Sequence, residues 1–300
     1  MNMLEICHIS KRFGDKQVLR DVDFTVPEHA VYGFVGQNGA GKTTTMKLVL
    51  GLLAADSGEI LVNGEKVSFG ENPVNRYIGY LPDVPEFYPY MTAAEYLNFC
   101  GAITGMDLQE CKKRTEEMLA LVGLAGEKHR IRGFSRGMKQ RLGIAQALLN
   151  RPKLLICDEP TSALDPVGRK EILDILVSAK EQTTVLFSTH ILSDVEKICE
   201  QFAFLHEGKI LRQGSMEEMR KSCGQAGFEI ELEREQDAAK LLRQFPEGIQ
   251  RGGAYVYYEP GKGQQMEAVL AWILGEGMRI RKAEKCGLTL EALFMEVVGK

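Results

Sequence analysis

The chain has 300 residues, of which 44% are hydrophobic and 26% charged, a composition that predicts a globular protein with one large and one smaller domain. The formal net charge of −4 argues against nucleic acid as a partner, and no apolar run approaches the roughly 18 residues that span a bilayer. The seven cysteines include no C-x-x-C pair, which favours reduced thiols in a cytoplasmic protein over a disulfide framework or a zinc site.

The N-terminal segment predicts a β-hairpin. Residues 4–10 and 22–26 are typical of short strands, and the charged residues 11–17 between them predict a turn. Phe13 lies in this turn, where an aromatic ring is either a partly buried anchor or a platform on which a base can stack. The charges near the start of the chain also argue against a secretory signal.

The strongest pattern follows this hairpin. An apolar run, Val31–Val35, leads into GQNGAGKT at residues 36–43, which matches G-x-x-x-x-G-K-[ST] at every fixed position. The glycines let backbone N–H groups converge on phosphate oxygens, while Lys42 would reach the β- and γ-phosphates and Thr43 would ligate Mg²⁺. A glycine-rich turn that binds nothing is the alternative. The other expected nucleotide contacts are Gly36, Asn38, Gly39, Ala40, Gly41 and Thr44.

The next segments predict short strands and then helices. Strands are expected at residues 60–62, 67–69 and 76–81. Residues 83–92 carry prolines and aromatic side chains and predict an irregular loop, which ends where Thr92 and Glu95 form a capping box. Leucine and methionine at helical spacing extend the helical prediction through residues 108–122, and Ser135 is suited to cap a further helix.

Two later strands end in polar side chains. In the predicted strand Leu154–Asp158, four apolar residues are followed directly by Asp158 and then Glu159. Carboxylates at the carboxyl edge of a buried strand suit Mg²⁺ and water, although a helix cap is the alternative. A second apolar strand, residues 184–187, leads to His190, which by itself is more often a hydrogen-bonding residue than a catalytic one.

The last quarter of the chain predicts a small α+β domain with its own core, after a hairpin at residues 202–212 and a linker at residues 223–227. Strands are expected at residues 228–232, 254–258 and 278–283. Helices are expected at residues 236–244, 264–274 and 289–298. The predicted domains are residues 1–222 and 228–300, and the second carries no catalytic constellation.

Taken together, these segments resemble the nucleotide-binding subunit of an ABC transporter. The motifs occur in that family's order: an aromatic turn, a Walker A loop, a strand-to-loop junction at Asp83, a signature-like helix start at residues 134–138, a Walker B strand, a D-loop at residues 160–165 and a switch histidine. The resemblance covers roughly three-quarters of the chain. The variant FSRGMKQR at residues 134–141 looks most like the ATPases of multidrug, antibiotic and bacteriocin exporters.

The resemblance implies a fold and a set of roles. The fold is α/β, a P-loop NTPase of ABC type with a mixed central sheet and with helical and antiparallel β subdomains, followed by the small C-terminal α+β domain. Phe13 would stack on the base, Lys42 would hold phosphate, and Glu159 and His190 would act in catalysis. The expected Mg²⁺ ligands are Thr43, Asp158 and Asp83.

The resemblance also implies partners. Two copies would close on ATP and Mg²⁺, and Ser135 and Gly137 of each copy would complete the site of the other. An integral membrane permease subunit would dock at the aromatic loop of residues 83–90 and the helix that follows it, although internal packing of these aromatic side chains is the alternative. The chain would then lie on the cytoplasmic face of the membrane and power export of a drug, peptide or lipid-like substrate, without binding nucleic acid.

Two motifs depart from the family's usual residues. The family's signature is usually Leu-Ser-Gly-Gly-Gln, whereas here it is Phe-Ser-Arg-Gly-Met, with Arg136 in place of the first glycine. Asp83 replaces a glutamine that touches Mg²⁺ and the attacking water. An aspartate still offers a hard oxygen ligand, but it adds negative charge near the γ-phosphate.

Two rival functions share part of this pattern. A soluble ABC ATPase that acts on ribosomes or DNA usually has long coiled-coil insertions or two ATPase domains, and this sequence shows neither. A small-molecule kinase or GTPase would have no use for the segments at 134–138 and 160–165, and no guanine-selecting N-K-x-D occurs.

Overall fold

The computed structural model of the protein describes residues 2–222, 227–259, 264–286 and 290. The chain divides into two compact units, of which the first ends at Ser215 and the second begins at Met216. This division lies slightly before the boundary expected from the sequence, residues 1–222 against 228–300, which stays a prediction.

The first unit contains two sheets and a group of helices. Its strands are β1 (Asn2–Phe13), β2 (Lys16–Pro27), β3 (Val31–Val35), β4 (Ser57–Val62), β5 (Glu65–Lys66), β6 (Ile78–Leu81), β7 (Leu154–Asp158), β8 (Thr184–Thr189), β9 (Gln201–His206) and β10 (Lys209–Ser215). Its helices are α1 (Lys42–Val49), α2 (Ala93–Ile103), α3 (Leu108–Leu121), α4 (Arg136–Leu148), α5 (Pro166–Ala179) and α6 (Leu192–Ile198). Short 3₁₀ turns lie at Pro73–Tyr77 and Ile131–Gly133.

The central sheet has the strand order β10-β9-β3-β8-β7-β6. All pairs are parallel except β10 with β9, so the sheet is mixed, as predicted. Every residue of β3, β7 and β8 is buried, which is typical of parallel strands covered on both faces. The carboxyl ends of these three neighbouring strands therefore meet at one edge, where open α/β sheets bind their ligands.

The second sheet is antiparallel, with the order β2-β1-β4-β5, and it packs against the central sheet. Phe24 of β2 stacks on two rings of β3: the centroid distances are 5.0 Å to Phe34 and 5.8 Å to Tyr32. These contacts join the two sheets in one core and fix the strand that precedes the glycine-rich loop.

The helices α2, α3 and α4 lie between β6 and β7, and the first of them begins at residue 93. The capping box at Thr92 and Glu95 forms as predicted, and Ser135 caps α4 by accepting a hydrogen bond from the N–H of Met138 at 3.2 Å. The buried Arg114 of α3 donates to the carbonyl oxygens at the end of α4 and so ties these helices together. Within the part of the chain that the structure describes, no helix combines the length and the apolar character needed to cross a membrane.

The structure corrects three expected boundaries. The turn at residues 11–17 shrinks to Gly14 and Asp15, because charged residues fit the solvent-facing side of an antiparallel hairpin and both strands continue through them. The strand expected at residues 67–69 lies two residues earlier, at Glu65–Lys66, as β5. Of residues 76–81 only β6 is extended, since a proline opens the 3₁₀ turn before it.

The second unit has the order α7 (Met216–Ser222), β11 (Gly227–Leu232), α8 (Glu235–Gln244), β12 (Gly248–Gln250), β13 (Tyr255–Tyr258), α9 (Met266–Gly275) and β14 (Ile280–Cys286). After α7 this is a βαββαβ unit, and its antiparallel sheet has the order β12-β13-β11-β14, the ferredoxin-like arrangement. Phe228 and Tyr258 stack in its core at 4.6 Å. Except for Gly227 and Leu290, the predicted linker at residues 223–227 and helix at residues 289–298 lie outside the described residues.

Gly36, directly after β3, provides a test of the close packing at the sheet edge. A Cβ atom there would lie 2.4 Å from the backbone oxygen of Leu205, which cannot move without disturbing β9. We expect Gly36→Ala to lower the free energy of unfolding by about 1–3 kcal/mol, measured by chemical denaturation followed by circular dichroism. Gly133→Ala is the matched control, because nothing lies within 4 Å of its added Cβ. Equal stability of the two variants would contradict this account.

Candidate functional site

A cavity of about 460 Å³ lies beside the loop that joins β3 to α1. Predicted site residues supply most of its wall: Phe13, Asn38, Gly39, Gly41, Lys42, Thr43, Thr44, Asp83, Glu159 and His190. Sequence reasoning did not place Lys16, Val18 and Ser162 in this wall. Lys16 and Val18 follow Phe13 on the neighbouring strand of the hairpin, a proximity that only the corrected, shorter turn makes visible.

The loop before α1 is shaped by its glycines. Gly41 adopts a φ of +115°, and a Cβ there would lie 2.6 Å from Leu19 Cδ2, so only glycine fits. Gly41 is also the N-cap of α1 and offers no side chain to satisfy the first N–H groups of the helix. Those donors are suited to an anion in the cavity. Gly36 and Ala40 support the loop from behind: the N–H of Gly36 donates to the Thr189 oxygen at 3.2 Å, and Ala40 is buried.

Lys42 is a cation of the cavity wall and is only 5% exposed. Its Nζ donates to the carbonyl oxygens of Gly36 at 2.6 Å and Gln37 at 3.2 Å. The same Nζ lies 3.0 Å from Glu159 Oε1, which forms no hydrogen bond within the described part of the chain, so this contact is an ion pair only. The loop's own carbonyl groups thus aim the lysine at the carboxylate that follows β7.

The carboxylates after β7 are held from β8. Asp158 pairs in register with Ser188, whose hydroxyl donates to Asp158 Oδ1 at 2.6 Å. Glu159 adopts a left-handed φ of +48°, a conformation that costs a non-glycine residue roughly 1–2 kcal/mol. Its Oε2 lies 2.8 Å from His190 Nδ1, so Glu159 is placed between Lys42 and His190. Strain at such a position is typical of a functional site.

Asp83 follows β6 and connects the cavity to the start of α4. Its Oδ1 lies 3.5 Å from a guanidinium nitrogen of Arg136, and its backbone oxygen accepts a hydrogen bond from the buried Gln140 at 2.7 Å. Burial raises the pKa of Asp83, Arg136 opposes this shift, and the carboxylates of Asp158 and Glu159 add to it. Arg136 of the variant signature and Asp83, which replaces the family's usual glutamine, are therefore in contact with each other.

Phe13 lies at the edge of the cavity with 46% of its surface exposed. The Nζ of Lys11 lies 5.4 Å from the ring centroid. Of the two interpretations left open by the sequence, this half-exposed ring fits a stacking platform better than a buried anchor.

Ser135 and Gly137 lie outside this cavity. The Ser135 hydroxyl caps α4, and the position of a Cβ on Gly137 is nearly free, with Leu164 Cδ2 at 3.9 Å as its nearest neighbour. An open helix start of this kind suits a role at a surface. Within one chain, Ser135 and Gly137 therefore do not line the cavity that contains Lys42.

The donor set of the cavity fits Mg²⁺ together with a nucleotide. Thr43 offers a hydroxyl in the cavity wall. Asp158 is not one of the wall residues; it directly precedes Glu159, and Ser188 holds its carboxylate in place. Among the described residues no group of three or more His, Cys, Asp or Glu side chains is placed to bind a metal ion by itself. Such a sparse set of oxygen ligands is what Mg²⁺ uses when phosphate oxygens and water complete its shell.

A buried polar network connects segments adjacent in the chain to the cavity residues Ser162 and His190. Asp194 of α6 is fully buried and accepts hydrogen bonds from Thr161 Oγ1 at 2.8 Å and from Arg169 Nε at 2.6 Å. It therefore ties the loop that carries Ser162 to the helix that follows His190. No pattern in the sequence singled out Asp194, because its partners are distant in the chain.

The strand, the glycine-rich loop, the uncapped helix start and the buried lysine paired with Glu159 define a nucleotide-binding protein of the P-loop class. A family model described as "ABC transporter" matches residues 19–162.

Relatives along the full length give the same result. The uncharacterized ABC transporter ATP-binding protein YxlF of Bacillus subtilis is 38% identical over 304 residues, 99% of either chain. The bacitracin transport ATP-binding protein BcrA of Bacillus licheniformis is 35% identical over 99% of this chain and 97% of its own. A solved structure of the ATP-binding subunit of an ABC transporter is 32% identical, with a TM-score of 0.64 over 73% of this chain and 92% of that one.

The chain therefore belongs to the ABC transporter family, as one of its ATP-binding proteins. The fold is the ABC type of P-loop NTPase, and proteins of this family hydrolyse ATP, so the chain is an ATPase. The family and the fold class predicted from the order of the motifs are confirmed.

The Asp194 network predicts a large effect on stability. Asp194→Ala leaves Arg169 and Thr161 without their buried acceptor, and we expect it to lower the free energy of unfolding by about 2–4 kcal/mol. Asp174→Ala removes an exposed carboxylate from the neighbouring α5 and should change it by no more than about 0.5 kcal/mol. Denaturation curves of both variants measure the difference, and similar curves would refute the importance of the network.

Proposed function

We propose that this chain is the ATP-hydrolysing subunit of an exporter, in which two copies drive a drug, peptide or lipid-like molecule through a separate membrane permease. The chain would act at the cytoplasmic face of the membrane. The observation that carries the proposal is the position of Glu159 between Lys42 and His190 at the wall of the cavity. The direction and the substrate class are supported by similarity to a protein whose name includes bacitracin transport.

Binding would exchange one partner of Lys42 for another. Its ammonium group donates hydrogen bonds to two loop carbonyl groups and forms an ion pair with Glu159. A phosphate oxygen with more negative charge would compete with Glu159 for the ammonium group, while the loop N–H groups and the start of α1 bind the other oxygens. Phe13 would stack on the base at the opposite end. Nucleotide binding would thus release the carboxylate that hydrolysis needs.

Thr43 and Asp158 would hold Mg²⁺, with Asp83 near the same shell. The ion supplies charge neutralisation and alignment for phosphoryl transfer. The protein's own task is to present these oxygen atoms without rearrangement. Ser188 does this for Asp158, which is only 2% exposed.

Glu159 would act as the general base that takes a proton from the attacking water, an effect typically worth about 10²–10⁴-fold. His190 would orient Glu159 through the contact at Oε2 and bind the γ-phosphate. A carboxylate that contacts both Lys42 and His190 is a poor base. The ammonium group of Lys42 would therefore have to leave Glu159 for the phosphate before Glu159 can act as the base.

The second copy explains the residues outside the cavity. Ser135 and Gly137 lie at an exposed helix start, where they would contact the γ-phosphate held by the partner copy. ATP would then join the two copies, and hydrolysis would separate them. This cycle shifts the population between closed and open pairs and so moves the permease.

The permease would dock beside the aromatic loop that follows β6. Tyr88 contacts the rings of Tyr90, Tyr96 and Phe99 at centroid distances of 5.6–6.3 Å, and a cavity of about 430 Å³ lies at the base of this loop. Three large side chains of this loop are exposed, Val84 by 63%, Tyr88 by 45% and Tyr90 by 57%. Aromatic side chains of this kind are typical anchors of protein interfaces.

The base assignment is tested with Glu159→Gln. We expect turnover to fall at least 10²-fold, because the amide cannot accept the proton, while ATP still joins two copies into a stable dimer. Phosphate release measures turnover, and light scattering with and without ATP measures the dimer. Lys42→Ala is the companion variant and should lose nucleotide binding as well. Turnover at the wild-type rate in Glu159→Gln would rule out this base.

The docking surface is tested with Tyr90→Ser. The tagged chain is used to recover partners from solubilised membranes, and the variant should recover several-fold less of the permease because an exposed anchor is lost. Phe69→Ser is the matched control, since Phe69 is 67% exposed elsewhere on the same unit. ATP hydrolysis by either isolated variant should stay unchanged. Recovery of ribosomes instead of a membrane protein would favour the rival function.

A further inference from the structure

Ser188, at the carboxyl end of β8, makes two contacts, of which the proposed mechanism uses only the one with Asp158. Its hydroxyl donates to Asp158 Oδ1 at 2.6 Å and accepts a hydrogen bond from the N–H of Glu159 at 3.1 Å. Ser188 is fully buried. One hydroxyl group therefore contacts both acidic residues that follow one another at the end of β7.

The direction of these two bonds is fixed by chemistry. A backbone N–H can only donate, so the Ser188 oxygen must accept from Glu159, and its single proton must point to Asp158. This bond uses one acceptor site of Asp158 Oδ1 and fixes the orientation of the carboxylate, so that Oδ2 stays free of Ser188. The hydroxyl therefore sets how the carboxylate is presented to the metal.

The contact to Glu159 has a separate consequence. Glu159 holds a left-handed backbone with a φ of +48°, and the turn after β7 needs this conformation to aim its carboxylate at Lys42 and His190. The bond from its N–H to Ser188 offsets part of the cost of that conformation. The same atom that orients Asp158 therefore also anchors the backbone of the proposed base.

We propose that Ser188 is a positioning residue that couples the magnesium-holding Asp158 to the catalytic Glu159. This inference rests on the proposed roles of those two carboxylates. Residues that orient a metal ligand without touching the metal typically change metal affinity or activity 10- to 100-fold when they are removed. Ser188 should therefore act mainly on the magnesium dependence of the protein and much less on the binding of nucleotide without metal.

The test measures binding of a fluorescent ATP analogue with EDTA and across a Mg²⁺ titration, together with ATP hydrolysis. In Ser188→Ala we expect about a tenfold higher Mg²⁺ concentration for half-maximal binding enhancement and for half-maximal turnover. Affinity in EDTA should stay within about twofold, because Lys42 and the loop are unchanged. Ser188→Thr keeps the hydroxyl and should restore the wild-type Mg²⁺ dependence.

Thr184→Val is the matched control on the same strand. Thr184 is also buried and accepts a backbone N–H, that of His29 at 2.9 Å, but it lies at the other end of β8. Its loss should leave the Mg²⁺ dependence unchanged. Where Ser188→Ala does not fold, Ser188→Cys, a weaker donor of similar size, should shift the Mg²⁺ dependence in the same direction.

Asp158→Asn, measured in parallel, separates the two levels of the proposal. A shift in Asp158→Asn with none in folded Ser188→Ala or Ser188→Cys overturns the role of Ser188 and leaves the metal assignment standing. No shift in either residue overturns the metal assignment itself and the role of Ser188 with it. An equal loss of affinity with and without Mg²⁺ in Ser188→Ala would show a merely structural residue and also overturn the inference.

Discussion

The parallel pairing of β3, β8 and β7 is the constraint on which the site depends. Val35 pairs with Thr189 and Asp158 with Ser188, so three segments far apart in the chain end side by side. These strands are buried along their whole length, and a slip of one residue would turn every side chain to the other face. The packing of the apolar core thus sets the distances among the polar atoms of the site. Hydrogen bonds between those atoms only refine these distances.

The parts that could be predicted from the sequence are those whose geometry is local. The glycine-rich loop needs eight consecutive residues, and the carboxylates after β7 follow directly from an apolar run that ends in acid. Gly41 is an example: its φ of +115° and the nearby Leu19 both require glycine, so the residue type itself indicates the backbone conformation. The capping box at Thr92 and the cap at Ser135 are local in the same sense.

The parts that could not be predicted depend on contacts between distant segments. Ser188 and Asp194 are ordinary residue types at positions without a pattern, and their importance appears only when β8 lies beside β7 and α6 lies beside α5. The extent of the first hairpin was misjudged for a related reason. Charged residues suit a turn and the solvent face of a strand equally well, and only tertiary packing decides between them.

The contact between Asp83 and Arg136 constrains how these positions can change. Both side chains are nearly half exposed, so the pair adds little to folding stability, but each cancels the other's charge beside the cavity that we propose as the phosphate site. Replacing Asp83 alone with the family's usual glutamine would leave a bare cation at the start of α4, and replacing Arg136 alone would leave a bare anion near phosphate. Replacing one residue of the pair alone therefore changes the net charge beside the cavity, whereas replacing both by neutral residues leaves that charge unchanged.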